Sequence, residues 1–125
     1  MLFRSFQPQA ELPRWYDLCD VFVLPSWQES WGLVINEVMC AGRAVIASDR
    51  VGAAADLVRP GENGALFRVD ETSDLARSLR EVLNDPQRLV TMGQRSLGII
   101  ERWSFAEDIA GLRQALSATC PGFSR

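Results

Sequence analysis

Two short apolar runs, Val21–Leu24 (V-F-V-L) and Ala44–Ala47 (A-V-I-A), constrain the fold more than anything else in the chain. Each ends in a polar turn, and each is separated from the next apolar segment by a helix-like stretch. A strand that reads as continuously apolar has both faces buried. Strands of that kind separated by helices point to a parallel sheet covered on both sides. The expected class is therefore α/β, with a Rossmann-like parallel sheet flanked by helices.

The remaining elements follow from the same pattern. Leu2–Phe6 reads as a strand, and Glu11–Cys19 as a short helix with Pro13 tolerated in its first turn. Leu33–Ala41 reads as a helix stopped by Gly42. Val51–Val58 reads as a turn and a short helix, Pro60–Gly64 as a turn and Ala65–Phe67 as a last strand. Thr72 or Ser73 is expected to cap a helix running through Leu83, with Leu75, Leu79 and Val82 on one face. Asn84, Asp85 and Pro86 open the next, with Pro86 in its first position. Its inner face is Leu89, Met92, Ser96, Ile99 and Ile100. Ser104 is expected to cap a final helix with Phe105, Ile109, Leu112 and Leu116 facing inward. One partial domain over 1–118 and a tail over 119–125 complete the layout.

Chemistry concentrates where the first apolar run meets the helix that follows. The segment from Pro25 to Glu37 reads P-S-W-Q-E-S-W-G-L-V-I-N-E and carries Glu29 and Glu37, eight residues apart. On one continuous helix such a step is roughly 2.2 turns and would leave the carboxylates about 80° apart. They converge only if Glu29 lies in the loop and Glu37 on the helix. Gly32 supports that break, and Ser30 or Gly32 would stand near the N-cap. The helix start offers free N–H groups, which favour an anion such as a phosphate. Carboxylates suit sugar hydroxyls, because each oxygen accepts hydrogen bonds and a diol supplies two donors. A lone Glu on a helix is usually a solvated face, but Glu37 is embedded in a mostly apolar run, where charge is costly unless paired or used. Open parallel sheets bind ligands beyond the carboxyl ends of their strands. Val21–Leu24 runs into Glu29 and Ala44–Ala47 runs into Asp49, so both loops share one edge.

Composition narrows the chemistry. The chain of 125 residues has enough length for one core. Its net charge of −3 gives no basic stripe for nucleic acid, and all thirteen basic residues are Arg. It contains no His, which removes Ser-His-Asp and Cys-His catalysis and most zinc sites. Cys19, Cys40 and Cys120 are scattered and odd in number, as expected of reduced thiols. No apolar run reaches spanning length and no signal peptide is visible, so a cytoplasmic location is expected.

The order of these blocks resembles the C-terminal, donor-binding domain of retaining GT-B glycosyltransferases, specifically glycosyltransferase family 4 (group 1). The resemblance rests on A-E-L-P-R-W-Y-D-L-C-D-V-F-V-L-P-S, then E-S-W-G-L-V-I-N-E-V-M-C-A-G, then A-V-I-A-S-D-R-V-G-A-A-A-D-L-V, then P-G-E-N-G. It extends over nearly the whole chain to about Leu116. The family's E-x7-E signature falls on Glu29 and Glu37.

The resemblance implies a nucleotide-diphosphate-sugar donor and transfer with retention, without a metal or other cofactor. It implies that Glu29 acts on the transferred sugar as the catalytic carboxylate and that Glu37 binds the donor ribose. Backbone amides of Ser30, Trp31, Gly32, Leu33 and Val34 would face the sugar and the diphosphate. The acceptor, a glycan, lipid or small molecule, would be held mainly by an N-terminal acceptor domain that this chain lacks. A lipid-linked acceptor would bring a peripheral membrane association. Three positions depart from the family pattern: Ala53 replaces a Gly, Asp56 a Glu, and Ala44 a Pro. Asp49 and Asp56 read first as turn-formers. Arg43, Arg50 and Arg59 are candidates to neutralise phosphate or simply to keep a face wet. The competing reading is a truncated, non-catalytic module that binds nucleotide-sugars. An epimerase or a phosphorylase on the same fold would need an acid/base set or a cofactor Lys that the chain does not carry.

Overall fold

The structure, a computed structural model, describes residues 6–119. The strand expected over Leu2–Phe6 lies outside them except for Phe6, as does the tail beyond Thr119.

A 3₁₀ turn, Gln9–Glu11, leads into α1 (Leu12–Asp17), which carries Pro13 in its first turn. The chain continues through β1 (Val21–Leu24), α2 (Leu33–Cys40), β2 (Ala44–Ser48), α3 (Gly52–Leu57) and β3 (Gly64–Phe67). It ends in α4 (Thr72–Leu83), α5 (Pro86–Ile100) and α6 (Phe105–Thr119). The three strands form one parallel sheet in the order β1-β2-β3, with Val21 opposite Ala44 and Val45 opposite Gly64.

The central strand shows why the sequence pattern is so constraining. All five residues of β2 are buried. Val45 and Ala47 face one core with Ile35, Val38, Met39, Ala53, Ala54, Leu57, Ile99 and Ile100. Ala44 and Ile46 face a second core with Ala65, Phe67, Val82 and Met92. Side chains alternate across a strand, so burying both sets requires helices on both faces. Among the described residues β1 pairs only with β2, and all four of its residues are half-buried.

Helix ends are set by local chemistry. At the end of α2, Gly42 donates to the Met39 carbonyl at 2.9 Å and Arg43 to the Val38 carbonyl at 3.3 Å. These two bonds satisfy carbonyls that the helix leaves free and turn the chain into β2. Asp85 caps α5 by accepting from the Gln87 amide at 2.9 Å, with Pro86 in the first helical position. Ser104 and Glu107 form a reciprocal cap on α6. Ser104 Oγ accepts from the Ala106 amide at 3.2 Å and Glu107 accepts from the Ser104 amide at 3.1 Å.

Two expectations need correction. Neither Thr72 nor Ser73 caps α4. Its N-cap is Glu71, without a side-chain bond, and Asp74 instead accepts from the Arg68 amide at 2.8 Å. The inward face expected of α6 is not inward. The helix buries no residue, and Phe105, Ile109 and Leu112 are 85%, 50% and 61% exposed, with Leu116 half-buried. Phe105, Ile109, Leu112 and Leu116 do share one face of the helix, but among the described residues that face is left largely exposed.

Candidate functional site

The carboxyl edge of the sheet is built from two loops fastened to each other. After β1, the chain runs through Pro25–Gly32. After β2, it turns at Asp49–Val51. Buried Ser48 donates to the Ser26 carbonyl at 2.6 Å. The Glu29 amide donates to the Arg50 carbonyl at 3.0 Å, and the Gly52 amide returns the bond to the Glu29 carbonyl at 3.0 Å. Ala53 then donates to the Trp31 carbonyl at 2.7 Å. Glu29 and Val51 thus form a parallel bridge that extends the strand pairing past the sheet. A Cβ on Gly52 would lie 2.2 Å from the Ser30 carbonyl oxygen, so this approach requires glycine.

Gly32 is the N-cap of α2, in the left-handed conformation at φ 88° and ψ 60°, with no side-chain cap. The left-handed turn breaks the helical path between Glu29 and Glu37, as their spacing demanded. Glu29 is an exposed loop residue and Glu37 lies half-buried on the second turn of α2. Leu33 and Val34 occupy the first turn, where amides have no carbonyl one turn earlier to bond. Trp31 lies beside them, its indole donating to Asn36 Oδ1 at 3.0 Å and its ring 5.8 Å from that of Trp103. Ser30 is exposed at the bend.

The two carboxylates open onto different cavities. Glu29 lines a cleft of about 720 Å³ with Trp27, Ser30, Asp49, Arg50 and Asp70. Glu37 lines a more apolar cavity of about 620 Å³ with Leu12, Pro13, Tyr16, Cys40 and Ala41. The start of α2 lies between them along the chain. A ligand touching both carboxylates would reach from the more polar Glu29 cleft to the more apolar Glu37 cavity.

The other candidates are sorted by the fold. Arg43 immediately precedes β2 and Arg59 precedes β3, so both stand at the amino edge of the parallel sheet, away from the Glu29 cleft, and the Asp17 that Arg43 engages lines the Glu37 cavity. Arg43 bonds the Asp17 carbonyl at 3.0 Å, and Arg59 pairs with Glu62 at 3.6 Å. Arg50 remains, in the Glu29 cleft. Asp49 accepts from the Val69 amide at 3.1 Å, a loop-fastening role, and Asp56 is exposed on α3. Cys19 and Cys40 are free thiols; burial pushes that of Cys19 up. Among the described residues no helix is long and apolar enough to cross a membrane.

Sequence reasoning missed Tyr16. Its phenol donates to Glu37 Oε2 at 2.7 Å across 21 residues of chain. No local spacing signals a contact of that range.

Comparison with known proteins agrees with this architecture. A family model described as glycosyl transferases group 1 matches residues 1–97. The D-inositol 3-phosphate glycosyltransferase of Nocardia farcinica is 38% identical over 112 residues, covering 90% of this chain and 25% of that protein. The enzyme of the same name from Streptomyces bingchenggensis is 33% identical over 123 residues, covering 98% and 27%. Among solved structures, HepE from Anabaena in complex with UDP superposes with a TM-score of 0.75 at 28% identity, over 88% of this chain and 30% of that one. Sucrose-phosphate synthase from Thermosynechococcus elongatus gives 0.67 at 32% identity, over 84% and 27%. The chain spans about a quarter of the length of the curated relatives it matches.

Proposed function

The chain belongs to the glycosyl transferases of group 1, and from that footing we propose that it forms the donor-binding part of a retaining transferase. The reaction moves a sugar from a nucleotide-diphosphate sugar to an acceptor. The observation that carries this reading is the placement of Glu29 and Glu37 on two separate cavities, one in the loop before α2 and one along the second half of that helix. A nucleotide-diphosphate sugar, with a polar sugar at one end and a nucleoside at the other, suits a polar cleft paired with a more apolar cavity.

In this reading Glu37 accepts the ribose hydroxyls at the rim of the apolar cavity. The diphosphate lies against the amides of Gly32, Leu33 and Val34, where the helix dipole favours negative charge. Glu29 reaches the transferred sugar in the polar cleft, with Ser30 and Trp31 framing the turn. Breaking the bond between sugar and diphosphate leaves charge on the phosphate oxygens. Amides already aimed at that position stabilise the charge without reorganising, and Arg50 adds a cation in the neighbouring cleft. A carboxylate beside the anomeric carbon stabilises the positive character that develops there. Retention follows if the acceptor enters on the face the diphosphate leaves.

UDP is the first nucleotide to test, because HepE of Anabaena was crystallised with it. The acceptor panel begins with D-inositol 3-phosphate, the compound in the relatives' names. Calorimetric titration of the chain with UDP-, GDP- and ADP-sugars is expected to show one nucleotide preferred, with binding weakened in Glu37→Ala. Transfer is then assayed in the full-length protein, and NMR of the product gives the anomeric configuration. Absence of nucleotide binding by the chain would remove the donor reading. Binding without transfer in the full-length protein would favour the non-catalytic module, and an inverted product would remove retention alone.

A further inference from the structure

We propose that Tyr16 is a positioning residue for Glu37, fixing one carboxylate oxygen so that the other meets the diol of a nucleoside ribose. The inference rests on the donor reading given above and adds to it a specificity device on α1.

The geometry is direct. Tyr16 donates to Glu37 Oε2 at 2.7 Å. Among the described residues no other side chain bonds that carboxylate. Tyr16 is itself held firmly: it is 8% exposed, and its ring meets that of Phe22 edge-on at 6.2 Å and 88°. Cys19 Sγ donates to its carbonyl at 3.2 Å, fastening the end of α1. A Glu on a helix ordinarily samples several rotamers. Here a buried phenol selects one, so part of the ordering that ribose binding needs is done in advance. Both residues line the same apolar cavity. A carboxylate oxygen there gains more from a hydrogen bond than it would in water. Burial and the Glu37 bond push the Tyr16 phenol up to about 12, so it stays protonated and donating at neutral pH.

A tyrosine buried for packing alone would also seek an acceptor for its hydroxyl. The two roles differ in what they do to sugar recognition. A positioning role acts only on ligands with a ribose diol, whereas a packing role acts on every ligand of the cavity.

The test titrates the chain with UDP, GDP and ADP and, for whichever binds, with its deoxyribose counterpart. Wild type, Tyr16→Phe, Glu37→Ala and the double variant are compared, with circular dichroism as the check on folding. Tyr16→Phe is expected to weaken the ribonucleotide by about tenfold, the scale of one charge-assisted hydrogen bond. It should leave the deoxyribose form unchanged, and the double variant should match Glu37→Ala. Equal weakening of both ligands by Tyr16→Phe would overturn the positioning role. So would wild-type binding by Tyr16→Phe while Glu37→Ala loses the ribonucleotide, and in that case the donor reading stands. Wild-type binding by Glu37→Ala, or no nucleotide binding at all, would instead bring down the donor reading and this inference with it.

A second measurement needs no variant to fold. Tyr16 is the only tyrosine in the chain, so fluorotyrosine labelling gives one fluorine NMR signal. The ribonucleotide should shift that signal and the deoxyribose form should not. Identical shifts with both would overturn the proposal.

Discussion

Gly52 returns to Glu29 the bond that Glu29 gives to its neighbour: the Gly52 amide meets the Glu29 carbonyl at 3.0 Å while the Glu29 amide meets the Arg50 carbonyl at 3.0 Å. The loop carrying the candidate catalytic carboxylate is therefore held by backbone bonds from the adjacent loop. The stiffness of Glu29 comes from a glycine 23 positions later in the chain.

Gly52→Ala should break this fastening. Its Cβ would lie 2.2 Å from the Ser30 carbonyl oxygen, a backbone atom that can yield only by moving the loop. A loss of roughly 1–3 kcal/mol in stability is expected. Gly98→Ala is the control, since a Cβ there meets nothing within 4 Å inside α5. It should gain about 0.5–1 kcal/mol through helix propensity. Urea denaturation midpoints of the two variants, moving in opposite directions, check the argument.

On the proposed donor reading, Glu29 and Glu37 should fail in different ways in an active transferase that contains this chain. Glu29→Gln keeps the shape and removes the charge beside the reacting carbon, so kcat is expected to fall by about 100-fold or more with KM little changed. Glu37→Ala should raise KM for the donor by about tenfold and spare kcat. Steady-state kinetics on both variants decide it; the opposite split would exchange their roles.

Asn63 is expected to behave as a core residue despite lying in a turn. It is fully buried, accepts from the Arg59 amide at 2.7 Å and donates to the Leu57 carbonyl at 3.1 Å. Ser96 extends the network, donating to the Arg43 carbonyl at 2.8 Å. Asn63→Ala leaves an amide and a carbonyl unpaired, with an expected cost of about 1–3 kcal/mol in chemical denaturation.

The apolar stripe of α6 should be dispensable for the α/β body. Ile109→Asn and Leu112→Asn alter residues that are 50% and 61% exposed. Each is expected to leave the unfolding free energy from urea denaturation within about 0.5 kcal/mol of wild type. A loss on the scale of a buried leucine would mean that the helix packs on the body in solution.

Tyr16 should titrate late. Burial and the bond to Glu37 push its phenol from 10.0 up to about 12. The fold favours the neutral form, so the stability this group contributes is complete below about pH 10 and is lost as pH rises through about 12. Ultraviolet absorbance of the single tyrosinate, recorded folded and in urea, should show the folded midpoint at the higher pH. Coincident midpoints would contradict the buried contact.

Much of this was legible in advance. The strand at Val21–Leu24 was placed to the residue, and that at Ala44–Ala47 lacked only Ser48, because a strand buried on both faces has an unmistakable apolar run. Gly42 as the stop of α2 and Asp85-Pro86 as the start of α5 were readable because caps act over a few residues. Glu29 in a loop and Glu37 on a helix followed from the spacing and Gly32. Asn63 was read only as part of a turn, because its composition is that of a turn while its partners come from α3 and α5.

The sequence by itself determined the parallel α/β order, the break between Glu29 and Glu37, and the family, since each rests on residues close together in the chain. Only the tertiary structure decided that Glu29 and Glu37 open onto separate cavities, that Arg43 and Arg59 lie at the amino edge of the sheet, that Tyr16 holds Glu37, and that among the described residues the face of α6 is uncovered. Periodicity fixes which side of an element is apolar and caps fix where it ends. What an element touches depends on neighbours brought in from distant chain, and no local pattern encodes those distances.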